Sequence, residues 1–201
     1  MSGGRDEELA ARVEDLLAAH GDAGRVVGIR RLSGGASRET WAVDVDGGAH
    51  QAGLILQTLR PGTVGGGPGM QGEAALMRAA AEVGVPVPAV VADDDGTVLG
   101  APGILTARLE GETIARKLLR DDEWATARAR LVGQAAAALA AIHRIDPGVA
   151  PTLRGGDQLE QLVQMLDGFD QPFPAFELAI RWLADHRPEQ PRTTVVHGDF
   201  R

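Results

Sequence analysis

The 201 residues contain no cysteine, no tyrosine and only seven aromatic side chains, four Phe and three Trp. The first absence excludes disulfides, thiolate metal sites and thiol nucleophiles. The scarcity of rings excludes an aromatic stacking platform for single-stranded nucleic acid. Positive charge is also short: 20 Lys and Arg against 28 Asp and Glu give a formal net charge of −8. That is the wrong sign for a broad phosphate-backbone footprint, so nucleic acid is not an expected partner. No stretch approaches the roughly 20 uninterrupted apolar residues of a membrane-spanning helix, and the opening MSGGRDEE lacks an apolar signal segment. No membrane partner is expected, and the cytoplasm is the expected location.

What is present describes an ordinary globular chain, 44% hydrophobic and 24% charged. Leu9, Val13, Leu16 and Leu17 recur at helical spacing, and acidic residues in the first turn favour the helix dipole, which predicts an amphipathic helix over 7–20. Val26-Val27-Gly28-Ile29, Trp41-Ala42-Val43-Asp44-Val45 and Leu54-Ile55-Leu56 read as strands, with Asp46-Gly47-Gly48 as a turn, so an antiparallel meander is expected. Residues 62–72, rich in Gly and Pro, read as a loop, and 73–83 as a helix through Ala74, Met77 and Ala81. Residues 103–107 read as a further strand. From Trp124 on, Leu131, Ala135, Leu139 and Ile142 share one helix face, and Leu159/Leu162/Leu166 and Phe176/Ile180/Leu183 repeat the pattern. A β-rich half followed by a helical half predicts an α+β, bilobal molecule, with a lobe over 1–109 and a second over 110–201.

Four local features carry chemistry. Gly34-Gly35 between two strands lets backbone N–H groups approach phosphate oxygens without a Cβ in the way, and Ser33 and Ser37 add hydroxyls; an ordinary hairpin turn would look the same. Glu73 offers a carboxylate at a helix start, which is equally the place for a solvated first-turn acid. Residues 107–109 form a connector whose backbone is free of side-chain demands. The β-branched run Thr193-Thr194-Val195-Val196 delivers His197-Gly198-Asp199 to a turn, although the tripeptide alone is also a plausible polar turn.

Read in order, Leu32-Ser33-Gly34-Gly35-Ala36-Ser37-Arg38-Glu39-Thr40-Trp41, Glu73, Val85-Pro86-Val87-Pro88 and His197-Gly198-Asp199-Phe200-Arg201 resemble the aminoglycoside phosphotransferase (APH) family with its choline-kinase-like members. The His-Gly-Asp-Phe-Arg form is similar to phosphotransferase domains often found near acyl-CoA dehydrogenases. The resemblance implies a protein-kinase-like fold, with an antiparallel-sheet nucleotide lobe and an incomplete helical lobe. It implies ATP and Mg²⁺ as cofactors, and a nucleotide plus a small hydroxyl-bearing substrate as partners, with γ-phosphate transfer to the hydroxyl. By the same resemblance Asp199 takes the catalytic role, accepting or orienting the acceptor's proton, while His197 and His143 support the loop. Ser33, Gly34, Gly35, Ser37, Gln57 and Glu73 are implied at the phosphates, and Ala107 and Leu109 along the adenine through their backbone.

The sequence departs from that pattern at Gln57, where the third strand usually carries Lys or Arg; Arg60 lies three residues on, and Arg201 could neutralise phosphate. A nucleotide-binding, pseudokinase-like module without catalysis is therefore an alternative, and a metal-dependent hydrolase using His197 and Asp199 a more distant one, since His50, His143 and His186 lack ligand spacing. The magnesium-binding Asn, about five residues after the catalytic Asp, and the following metal-binding Asp would fall beyond Arg201. No metal ligand is expected within the chain. The resemblance implies a fragment of a longer enzyme, with weak nucleotide binding, negligible transfer, and apolar helix faces short of cover.

Overall fold

In a computed structural model of the chain, the described residues are 3–32, 38–50, 52–60, 67–153, 155–189 and 193–200. They form helix α1 (Gly3–Ala19), strands β1 (Arg25–Leu32), β2 (Arg38–Asp46) and β3 (Leu54–Leu59), helix α2 (Gly69–Glu82), strands β4 (Val90–Asp95) and β5 (Pro102–Ala107), then helices α3 (Ala115–Arg120), α4 (Ala125–Ile142), α5 (Gln158–Asp167) and α6 (Pro174–Asp185). The five strands make one antiparallel sheet in the order β1-β2-β3-β5-β4. The fold is α+β, and the expected meander is its first half. Two compact units emerge, residues 1–153 with 194–201, and residues 154–193. Among the described residues no strand lies beyond β5, and a lobe division at 109/110 stands as a proposal of the sequence.

The period of two in β2 and β3 sorts their side chains onto two faces. Trp41, Val43, Val45, Leu54 and Leu56 join Leu105 of β5 against Val13, Leu16 and Leu17 of α1, nearly all of them sealed from solvent. Each such Leu or Val contributes about 1.5–3 kcal/mol relative to exposure. On the opposite face Met70 and Ala74 of α2 pack with Ile104, beside Leu59 and Val90. A third cluster joins Ala79 and Ala80 of α2 to Val85, to Ala141, Ile142 and Ile145 around the end of α4, and to Val195.

Three features depart from the sequence pattern. The loop expected over 62–72 gives way to helix at Gly69, because Met70 buries its side chain and Pro68 sets the entry; residues 62–66 lie outside the described set. Gly72 belongs to that first turn, and a Cβ there would come within 2.8 Å of Pro68 Cβ and 3.2 Å of Thr152 Oγ1. Second, β4 was not anticipated, since Asp93-Asp94-Asp95 is poor strand material. Third, residues 193–197 carry no strand; Val195 is held by apolar packing rather than sheet bonds.

The expected apolar face of α4 is buried only at its C-terminal end, at Ala141 and Ile142, while Leu131 is exposed. In the second unit α5 and α6 contain no fully buried residue, and Leu162, Phe176 and Leu183 are exposed. The side chain of Asp157 caps α5 by accepting the N–H groups of Leu159 (2.8 Å) and Glu160 (3.3 Å), and it pairs with Arg187. Among the described residues no helix is long and apolar enough to cross a membrane.

Candidate active site

Leu54, Leu56 and Thr58 point toward α1, so Gln57 between them faces the α2 side of the sheet, in register with Thr40 of β2 and Ile104 of β5. Glu73 reaches the same side from the second turn of α2. Between them lies Arg38, the first residue of β2, opposite Leu59. Its Nη1 donates to Glu73 Oε1 at 2.8 Å and its Nη2 to Oε2 at 2.5 Å, a two-point guanidinium–carboxylate pair, and Nη1 also donates to Gln57 Oε1 at 3.4 Å. Both charged side chains are 32% exposed, so the pair is shielded from bulk water without being cut off from it. The hydrogen bond to Glu73 raises the Arg38 pKa above its ordinary value, partial burial opposing and the carboxylate charge adding to it.

Gln57 and Glu73 are thus brought together, with a cation the sequence features left aside. Arg38 could have been found from register: residues 38 and 40 share the face of Gln57 once β2 is paired with β3. Arg60 takes no part in these bonds; its Nε is buried and has no partner among the described residues. Ser33, Gly34, Gly35 and Ser37 lie outside the described residues, and chain continuity puts Arg38 directly after them.

In the connector, the N–H of Ala107 donates to Ala89 O (2.9 Å) and that of Arg108 to Gly53 O (3.1 Å). Neither bond uses the carbonyl of Ala107 or the N–H of the exposed Leu109. Arg108 is tied back to Asp44 by a 2.7 Å bond, which holds the connector on the sheet.

Beyond the buried Val195, Gly198 turns the chain at φ +80°, a left-handed conformation that glycine adopts without a Cβ clash. The N–H of Asp199 donates to His197 Nδ1 at 3.3 Å, and the His197 and Phe200 rings meet edge to face at 5.5 Å. Asp199 is exposed. His143, partly buried, closes α4 with its N–H on Leu139 O, next to the Ala141, Ile142 and Ile145 cluster that grips Val195. Arg201 lies outside the described residues.

Among the described residues no group of three or more His, Asp or Glu side chains is placed to hold a metal ion. The other histidines sit apart: His50 lies 3.5 Å from Asp22, and His186 stacks on Trp182 at 4.3 Å with Nδ1 against that residue's carbonyl.

Residues 28–201 match the profile of the APH family, described as the phosphotransferase enzyme family. Over 135 residues the chain is 30% identical to mouse (Mus musculus) acyl-CoA dehydrogenase family member 10. That stretch is 63% of this chain and 12% of the mouse protein, so the chain spans a small part of that relative.

Proposed function

Because the chain belongs to the phosphotransferase enzyme family, we propose that it moves the γ-phosphate of ATP to the hydroxyl of a small molecule. The observation that carries the reading is the carboxylate of Glu73, fixed by a two-point guanidinium pair at the start of β2. An array of oriented N–H donors beside glycines suits a polyphosphate. Ser33, Gly34, Gly35 and Ser37 would meet the phosphates, with Glu73 as the positioning residue. Ala107 O and Leu109 N–H would read the adenine edge. Gln57 supplies a neutral amide donor.

Asp199 acts at the other end of the transfer. Its carboxylate accepts the proton of the acceptor hydroxyl as that oxygen bonds to the γ-phosphorus, while the bond from phosphorus to the β–γ bridging oxygen breaks and ADP departs. His197 holds the turn so that the carboxylate is presented outward. Magnesium, when bound, neutralises phosphate charge; we assign it no ligand among the described residues.

Asp199→Asn keeps the side chain's shape and removes the proton acceptor. Phosphoryl transfer to a panel of hydroxyl compounds should fall by about 10²-fold or more, with ATP affinity within about twofold of the parent. Unchanged transfer in the variant refutes the role of Asp199. The absence of a cation from β3 at Gln57 favours a second reading, nucleotide binding without turnover; saturable ATP binding with no transfer to any acceptor would select it.

A further inference from the structure

The three side chains that meet on the α2 face of the sheet differ from what Gln57 alone suggests. We propose that Arg38, at the start of β2, is the residue that grips the nucleotide phosphates, held by Glu73 and paired with Gln57 as a neutral second donor. The inference rests on the ATP-dependent reading above and identifies the group that reading leaves open.

Donor geometry comes first. A guanidinium carries five N–H donors. Two of the three bonds described go to the two oxygens of Glu73 and one to Gln57. Nε–H and the second hydrogen on Nη2 are not used by these bonds, and a planar fork of this kind matches phosphate oxygens. The Arg38 side chain is 32% exposed, so a ligand can reach it. In the chain it follows residues 33–37 directly.

Charge points the same way. Glu73 without a partner would present a bare carboxylate to a polyanion, a like-charge contact that Arg38 cancels. The neutral residue at 57 then has a physical reason. A second cation on β3 would stand within a few ångströms of Arg38 before a single carboxylate, whereas the Gln57 amide oxygen accepts from Arg38 and aids its orientation. On this account Gln57 follows from the placement of the cation on β2 and does not mark a lost function. The alternative is that Arg38 only braces α2 to the sheet.

Calorimetric titration with ATP and, separately, adenosine separates the two. Arg38→Gln should weaken ATP binding at least about tenfold and leave adenosine within about twofold. Adding Gln57→Lys to that variant should recover most of the ATP affinity by returning a cation beside Glu73 from β3. Equal losses for ATP and adenosine, or no loss for either, overturn the proposal in favour of a brace, and so does failure of the double variant to recover. Should thermal melting show Arg38→Gln unfolded, Arg38→Lys decides: an ammonium keeps the charge but loses the planar two-point fork that meets Glu73 and a phosphate, so ATP should weaken about threefold or more with adenosine unchanged, and an unchanged ratio overturns the proposal. Wild-type protein that binds ATP no better than adenosine refutes the ATP-dependent reading itself, and this inference with it. The two failures are distinguished by whether the parent prefers ATP.

Discussion

Asp94 shows how one side chain offsets an unfavourable segment. It is 7% exposed, the last residue but one of a strand that is half aspartate, and its carboxylate accepts the N–H groups of Gly96 (3.0 Å), Val98 (3.2 Å) and Leu99 (2.9 Å). Those bonds close the β4–β5 turn and place Leu99 in the α1-side core. Asp94→Ala leaves three backbone donors without this acceptor, one of them on the buried Leu99, and should cost about 3 kcal/mol, while Asp94→Asn, which keeps one acceptor oxygen, should cost about half that. Urea unfolding checks both: the midpoint should fall in that order with the slope unchanged. In the sequence the three aspartates look like an exposed acidic run, because nothing local tells a solvated carboxylate from one that accepts backbone bonds. Arg38 was hidden for a related reason. A lone basic residue beside a glycine turn is usually a solvated end, and only its 35-residue reach to Glu73 gives it meaning.

Among the elements, α3 depends on a carboxylate just ahead of it. Glu112 accepts the N–H groups of Thr113 (2.9 Å) and Ile114 (2.8 Å) and pairs with Lys117 at 2.7 Å. Lys117 first, then the Ile114 N–H, holds the Glu112 carboxyl below the ordinary range. A depressed folded-state pKa means that the stabilisation is fully present above the unfolded value of about 4.3 and is lost as pH falls through the lower folded value. Glu112→Gln should therefore lose less stability than the parent on going from pH 6 to pH 3, with the two curves parallel above pH 5; denaturant melts across that range test it. The long periodic elements, α1, β2 and α2, were legible because covalent geometry sets their periods of 3.6 and 2. The first turn of α2 was not, since Gly69 and Gly72 argue against helix until Met70 finds its pocket.

For the whole molecule, stability is unevenly spread between the two compact units. The sheet and α1 hold Leu17, Leu54, Leu56 and Leu105 at essentially zero exposure, whereas α5 and α6 contain no fully buried residue. Native-state hydrogen exchange should find the amides of Gln158–Asp167 and Pro174–Asp185 opening at free energies at least about 2 kcal/mol below those of β2 and β3. Equal protection across both units would show that the helical pair is stabilised as firmly as the sheet.

The sequence by itself determined the exclusions and the order of motifs. Zero cysteines and a net charge of −8 are compositional facts, the alternation of β2 and the amphipathicity of α1 are local, and the succession from Gly34-Gly35 through Glu73 to Asp199 led to the family that residues 28–201 match. The tertiary structure alone decided which cation stands beside Glu73, that an aspartate-rich segment becomes an edge strand, and that Val195 is held by the ends of α2 and α4 without sheet pairing. Those outcomes turn on strand register and helix docking between residues far apart in the chain. No periodicity or composition encodes them, because each is a contact energy that exists only once both partners are in place.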